Sequence, residues 1–161
     1  MLITTLLHPD LVIADLPAAL KDEVLDALAV QVGRVHPRVD VRTLSAALRD
    51  RERQSTTALE HGVALPHARL GGVLEAPLAA LARTAAGIPC GAVDGHPTRL
   101  FLLLVVPAEQ PGAHLRMLAN AARLLSNARC RSRLLEAPTA TDLLAAFREH
   151  EERGVAGLRA A

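Results

Sequence analysis

The chain has almost no aromatic residues, with two phenylalanines and neither tryptophan nor tyrosine among its 161 residues. This scarcity argues against a surface that stacks bases or sugars on aromatic rings. The formal net charge is only +1, so the overall basic character of a nucleic-acid-binding protein is missing as well. The two cysteines, Cys90 and Cys130, provide neither a disulfide framework nor the paired spacing of a structural zinc site. We therefore expect no nucleic-acid partner and reduced cysteines.

Long apolar runs are also missing. The longest, residues 100–106, is far shorter than the roughly 20 residues that cross a bilayer. The first residues lack a basic leader followed by a long apolar segment and a cleavage site. These absences predict a cytoplasmic protein without direct membrane insertion.

The apolar residues that are present suit one domain with helices and strands. Half of the chain is apolar, which is enough to form a core. Helical spacing of apolar residues predicts helices after Asp15, after Asp40, from His114 to about residue 126, and after Thr139 or Thr141, with the aspartates and the threonine as N-caps.

Strand-like runs lie between these helices, at residues 11–13, 62–65, 78–83 and 100–106. The runs are continuously apolar rather than alternating, so both faces of the sheet should be covered. We predict an α/β fold, a three-layer α/β/α domain with a mixed β-sheet between helical layers. One domain spans residues 1–161, with a flexible tail from about residue 151.

The pair Pro66-His67 ends one of these apolar runs and draws attention to the histidine. A preceding proline removes a backbone donor and restricts the backbone, which helps to hold the imidazole in place. A fixed, neutral imidazole at a cleft can act as a general base, a metal ligand or a nucleophile. His67 is therefore the first candidate for a functional residue.

The surrounding sequence discriminates among these chemistries. His61 lies about 20 Å away along an extended strand, too far to share one metal ion with His67 unless the chain folds back, and no carboxylate or cysteine has a customary ligand spacing. The nucleophile motif of serine hydrolases and the glycine-rich nucleotide loops are absent. Upstream arginines and hydroxyls, and His114 at a helix start, suit a phosphoryl group.

Four ordered blocks carry a resemblance to a known family. Residues 51–57 (RERQSTT) and 61–69 (HGVALPHAR), followed by 94–97 (DGHP) and 114–119 (HLRMLA), resemble the enzyme IIA domain of the bacterial phosphoenolpyruvate-dependent phosphotransferase system. The similarity is to its type 2 domain, the fructose, mannitol and nitrogen-regulatory class, and it covers nearly the whole chain. It implies the fold of the mannitol-type IIA domain.

The resemblance also implies a phosphotransferase relay. His67 would accept a phosphoryl group, through Nε2, from the carrier protein HPr or its nitrogen-branch counterpart, and pass it to a cysteine of an enzyme IIB domain in sugar uptake. His114 would assist, Arg51 would balance the phosphoryl charge, and Thr56 and Thr57 would support the site. Such a relay needs no cofactor and no metal on this protein.

Other functions stay open at this point. The alternative is a nitrogen-regulatory protein that signals by phosphorylation-dependent binding to target proteins, and a hydrolase that uses His67 as a general base is a third hypothesis. The chain departs from many relatives at residues 58–60, where it lacks glycines, and at His61, a candidate third imidazole of the site. A homodimer is compatible with the sequence, which does not specify the oligomeric state or the sugar.

Overall fold

A single mixed sheet organises the chain. In the computed structural model, which describes residues 2–159, its five strands are β1 (Leu7–Ile13), β2 (Val63–Ala64), β3 (His67–Leu70), β4 (Leu78–Ile88) and β5 (Thr98–Pro107). β1 pairs parallel with β4, and β4 pairs antiparallel with β5. β2 and β3 pair in succession, both parallel, with the other side of β5.

The central strand β5 is the most apolar segment of the chain. Residues 100–106 are each at most 1% exposed, as expected for a strand that is covered on both faces. Seven consecutive buried apolar residues have no hydrophilic side that could face water. This segment therefore takes a place in the middle of the sheet, with neighbours on both sides.

The helices cover the sheet in two layers. They are α1 (Lys21–Val35), α2 (Val41–Gln54), α3 (Pro111–Ser126), α4 (Ala128–Glu136) and α5 (Ala140–Arg159). Because successive side chains of a strand point to opposite faces, Phe101 and Leu103 pack with α1 and α2, whereas Leu102 and Leu104 pack with the other three helices. The structure confirms the predicted three-layer α/β/α fold with a mixed sheet.

Helix α1 begins later than the sequence predicts, and Asp15 is not its N-cap. The N–H of Leu16 instead donates to the carbonyl of Arg83 at 2.8 Å, which extends the contact between β1 and β4. Near the start of α1, the Glu23 carboxylate accepts the N–H of Leu20 at 3.1 Å. The prediction of an Asp15 cap was wrong because a backbone bond to a distant strand holds this segment outside the helix.

Two other predicted caps are confirmed. The Asp40 carboxylate accepts the N–H of Thr43 at 2.8 Å at the start of α2. The Thr139 hydroxyl accepts the N–H of Asp142 at 3.1 Å at the start of α5. Both side chains satisfy a helix donor that has no partner within the helix.

Helix α5 continues through the residues where a flexible tail was predicted. Glu151 is fully buried, and its carboxylate accepts the backbone N–H groups of Ile3 and Thr4 at 2.7 and 2.8 Å. It also accepts the Thr4 hydroxyl at 2.8 Å and the Asn120 amide at 3.2 Å. This carboxylate connects α5 to the start of the chain. Residues 160–161, the end of the predicted tail, lie outside the described residues. No helix within residues 2–159 has the length and the apolar character that a membrane crossing needs.

Candidate functional site

His67 is the first residue of β3, directly after a break in the strand pairing. Pro66 belongs to neither β2 nor β3; it has no N–H to donate, and its carbonyl accepts the N–H of Leu104 at 3.0 Å. Ala68 packs into the core beneath α1 and α2. Alternation along the strand therefore turns His67 and Arg69 toward the opposite face of the sheet.

The contacts of the His67 ring define its tautomer. Arg51 Nε lies 2.9 Å from Nε2, and a guanidinium can only donate, so Nε2 must accept. Nδ1 lies 2.8 Å from the carbonyl oxygen of Leu65, to which it can only donate. The ring is therefore a neutral imidazole that carries its proton on Nδ1 and its lone pair on Nε2.

The surroundings of His67 keep the ring neutral. Burial lowers the pKa of His67, the hydrogen bond to Leu65 partly opposes this shift, and the positive charge of Arg51 adds to it. A pKa below the ordinary value of about 6.5 leaves the imidazole unprotonated at neutral pH. The lone pair on Nε2 is then available for nucleophilic attack.

Arg51 lies in the last turn of α2, where the helix dipole favours a positive charge. Its Nη1 donates to the carbonyl oxygen of Ser55 at 3.0 Å, while its Nε donates to His67. Two acceptors thus hold one planar guanidinium at the Nε2 atom. Arginine suits a phosphoryl group because its donors match two oxygens at once.

His114 reaches the same place from the other helical layer. It lies in the first turn of α3, and the centroids of its ring and the His67 ring are 5.0 Å apart with 58° between the planes. Burial lowers its pKa, and a positive charge on His67, whenever that ring is protonated, would lower it further, as do the charges of Arg69 and Arg51. Its Nδ1 is buried and makes no hydrogen bond within residues 2–159. A second neutral imidazole therefore stands beside the first.

These side chains line a cleft of about 280 Å³ at the sheet edge. The lining residues are Ala47, Asp50, Arg51, Gln54, His67, Ala68, Arg69 and His114. Three of the residues singled out from the sequence, His67, Arg51 and His114, come together here. Arg69 was not predicted, although its place two residues after His67 on a strand gives both side chains the same face. With Arg51 it makes the cleft favourable for an anion.

Thr56 and Thr57 lie beside the cleft rather than in it. The Thr57 hydroxyl donates to Glu52 Oε2 at 2.6 Å, and its N–H donates to the same oxygen at 2.9 Å. The Thr56 hydroxyl lies 2.7 Å from the carbonyl oxygen of Cys90 and 3.0 Å from Glu52 Oε1. The Thr57 hydroxyl is therefore bound to Glu52, and the Thr56 hydroxyl lies between Glu52 and Cys90. Neither hydroxyl makes a hydrogen bond to His67.

Glu52 and Lys21 were not predicted from the sequence as residues of the site. Glu52 is only 8% exposed, and Lys21, the one lysine of the chain, lies with Nζ 2.9 Å from its Oε1. Burial alone would raise the pKa of Glu52, but hydrogen bonds from Thr57 and Lys21 outweigh it and the pKa lies below the ordinary value. One sequence signal indicated the burial of Glu52: it lies at the next i, i+4 position after the buried residues Leu44 and Leu48.

His61 lies outside the cleft. Its N–H donates to Asp94 Oδ2 at 2.6 Å, and its ring nitrogens lie 3.9 Å from carboxylate oxygens of Asp94 and Glu60. Its φ of +65° is unusual for a residue with a side chain. Within the described part of the chain, no group of three or more His, Cys, Asp or Glu residues is arranged to hold a metal ion.

Known proteins are similar to this chain in sequence and in fold. The family model described as "Phosphoenolpyruvate-dependent sugar phosphotransferase system, EIIA 2" matches residues 5–150. A nitrogen regulatory protein of Pseudomonas aeruginosa is 35% identical over 138 residues, covering 86% of this chain and 89% of that protein. A fructose-specific EIIA component of Haloferax volcanii is 36% identical over 149 residues, covering 89% and 94%. The crystal structure of the nitrogen regulatory protein IIA-Ntr from Neisseria meningitidis superimposes with a TM-score of 0.83 at 27% identity, covering 90% of this chain and 98% of that one. The chain belongs to the EIIA type 2 family of the phosphoenolpyruvate-dependent sugar phosphotransferase system.

Proposed function

We propose that His67 is the phosphoryl acceptor of a phosphohistidine relay, loaded by an HPr-like carrier protein and unloaded by a cysteine of an enzyme IIB domain. The observation that carries the proposal is the neutral imidazole with its proton on Nδ1, next to Leu65 O, and its lone pair on Nε2 in an arginine-lined cleft. Family membership supports a phosphotransfer role. A carrier that works between such proteins has its place in the cytoplasm.

The chemistry follows from the tautomer. The Nε2 lone pair attacks phosphorus, the N–P bond of the donor phosphohistidine breaks, and its electron pair returns to the donor ring. His67 keeps its Nδ1 proton, so the phosphorylated ring carries a formal positive charge that the Leu65 carbonyl stabilises. In the second step the IIB thiolate attacks phosphorus, and the electron pair of the broken N–P bond restores the neutral ring.

Arg51 and His114 act on the phosphoryl oxygens in this proposal. Arg51 Nε occupies the position next to Nε2 in the free protein, so the guanidinium must shift to the phosphoryl oxygens as the N–P bond forms. There it balances the negative charge. The His114 ring, 5.0 Å from that of His67, is close enough to assist. Thr56 and Thr57 support the site through the loop that they form.

The test is phosphorylation in vitro. The protein is incubated with phosphoenolpyruvate, enzyme I and an HPr-like donor, and we expect an acid-labile phosphate that disappears in His67→Ala. The matched control is His61→Ala, which removes an imidazole outside the cleft and should label fully. A fully labelled His67→Ala protein would overturn the proposal.

A second candidate function is supported by the relatives named as nitrogen regulatory proteins. In this role His67 carries the same phosphoryl group, and its presence changes the binding of a regulatory target protein. Addition of an enzyme IIB domain to the labelled protein separates the two. Loss of label to the IIB cysteine supports the relay for sugar uptake, whereas retained label together with phosphorylation-dependent binding of a regulatory protein supports the second function.

A further inference from the structure

We infer that Glu52, held by Lys21, is a positioning residue for the phosphoryl acceptor. Its carboxylate fixes the loop after α2, and this loop fixes both the Arg51 guanidinium and the orientation of the His67 ring. The inference rests on the proposed function for its catalytic meaning. Neither Glu52 nor Lys21 makes a hydrogen bond to His67, so both would act through other residues.

The Glu52 carboxylate is hydrogen-bonded to the loop after α2 at both of its oxygens. Glu52 Oε2 accepts the Thr57 hydroxyl at 2.6 Å and the Thr57 N–H at 2.9 Å, and Oε1 accepts from Lys21 Nζ at 2.9 Å. The Thr56 hydroxyl lies 3.0 Å from Oε1. Bonds to an ionised acceptor are the strong ones, and this acceptor is almost completely buried.

Leu65 connects this loop to His67. The Leu65 N–H donates to the carbonyl oxygen of Thr57 at 3.0 Å, and the Leu65 carbonyl accepts from His67 Nδ1 at 2.8 Å. Thr57 is therefore bound on one side by Glu52 and on the other by the residue that sets the tautomer. A displacement of Thr57 would move the acceptor of the Nδ1 proton.

Ser55 connects the same loop to Arg51. The carbonyl of Ser55, the residue before Thr56, accepts from Arg51 Nη1 at 3.0 Å. The Arg51 side chain thus has one anchor in the loop and one on His67 Nε2. Both functional side chains depend on one three-residue segment, and a single carboxylate holds that segment.

Charge on Glu52 is essential to this arrangement. An ionised carboxylate accepts at both oxygens, whereas a glutamine amide would present an NH₂ group to Lys21 or to the Thr57 donors. Lys21 supplies the compensating positive charge. Its side chain is 31% exposed, whereas the side chain of Glu52 is only 5% exposed. Removing Lys21 would leave a buried carboxylate without its ion partner.

The experiment compares Glu52→Gln with Glu151→Gln. Both substitutions replace a buried carboxylate that accepts at least one backbone N–H and a threonine hydroxyl, but Glu151 does not line the cleft. One readout is the ¹⁵N NMR signature of the His67 tautomer in the free protein, and the other is the single-turnover rate of phosphoryl transfer from a phosphorylated HPr-like donor. For Glu52→Gln we expect a mixed tautomer signature and a rate lowered on the order of 10- to 100-fold. For Glu151→Gln we expect lower stability with both readouts unchanged.

Further variants keep the inference falsifiable if Glu52→Gln does not fold. Lys21→Met should show the same altered tautomer signature as Glu52→Gln, whereas Lys21→Arg should keep the wild-type signature. In the same way, Thr57→Val should alter the signature and Thr57→Ser should keep it. A folded Glu52→Gln protein with the wild-type signature overturns the inference, whether or not its transfer rate falls. The tautomer readout involves no phosphoryl transfer, so failure of the relay assay in wild type would reject the proposed function and not this inference.

Discussion

Replacing Glu151 by alanine removes the acceptor that holds the first residues of the chain against α5. Two backbone donors, the N–H groups of Ile3 and Thr4, lose a buried partner. Each unsatisfied buried donor costs about 1–3 kcal/mol, so the pair costs about 2–6 kcal/mol if the segment stays in place. The Thr4 hydroxyl loses the same acceptor, whereas Asn120 is partly accessible and can exchange its bond for one to water.

Detachment of the N-terminal segment sets an upper limit on this cost. If residues 2–6 swing away, the donors are hydrated, but the burial of Ile3 is lost, which is worth about 1.5–3 kcal/mol. We therefore expect Glu151→Ala to lower the free energy of unfolding by about 3 kcal/mol. For a chain of this length, that loss corresponds to a decrease in Tm of about 6–12 °C.

Urea denaturation followed by circular dichroism measures the loss, and hydrogen exchange at Ile3 and Thr4 shows where it acts. Glu152→Ala is the control, because the neighbouring carboxylate is exposed and its removal should change stability by less than about 0.5 kcal/mol. Equal stabilities of the two variants would refute the reasoning. So would unchanged protection of the Ile3 and Thr4 amides.

Three further predictions concern the site and its frame. NMR titration of His67 should give a midpoint below about 6.5, because burial lowers its pKa in the folded protein. Between the folded pKa and about 6.5, the unfolded chain binds more protons at this histidine than the folded protein does. The free energy of unfolding should therefore rise with pH over that range. Arg83→Met should cost about 2 kcal/mol in a denaturation experiment, because Arg83 donates to the carbonyls of Ala14, Leu134 and Leu135 at 2.8, 3.1 and 3.1 Å. Gly62→Ala should cost about 1–2 kcal/mol by the same assay, since Gly62 has φ +74° and a Cβ there would lie 3.0 Å from the Pro97 carbonyl oxygen.

A specific result would contradict each of these three predictions. A His67 midpoint at or above 6.5 would contradict the dominance of burial over the Leu65 hydrogen bond. Full stability of Arg83→Met would mean that water satisfies the carbonyls at the end of α4. A Gly62→Ala protein as stable as its parent would show that the turn before β2 tolerates a side chain.

The strand core and the three cleft residues were predictable because their signals are local. A run of seven apolar residues has one plausible place in a sheet, and β5 takes it. His67, Arg51 and His114 lie within motif blocks that resemble a family, and the fold brings these blocks to one edge of the sheet. Sequence order alone does not show this meeting, since Arg51 and His114 come from opposite helical layers.

The residues that escaped prediction depend on partners far away in the chain. Glu52 accepts from Thr56 and Thr57 nearby in the sequence, but its ion partner Lys21 lies 31 positions earlier, at the start of α1. Glu151 is buried because it receives donors from residues 147 and 148 positions away. A charged residue of this kind looks solvated in the sequence, and only the tertiary fold supplies the donors that make its burial favourable. The same reason explains the failed Asp15 cap, where a bond to Arg83 decides the backbone path.

The position of His67 on β3 restricts how partner proteins can use it. β2 and β3 lie at the edge of the described sheet, on one side of β5. The cleft that contains His67 is bordered by Arg51 from one helical layer and by His114 from the other. In the proposed relay, a donor and an acceptor need the same atom through the same opening. The two proteins must therefore take turns, and the one that delivers the phosphoryl group has to leave before the one that removes it can dock.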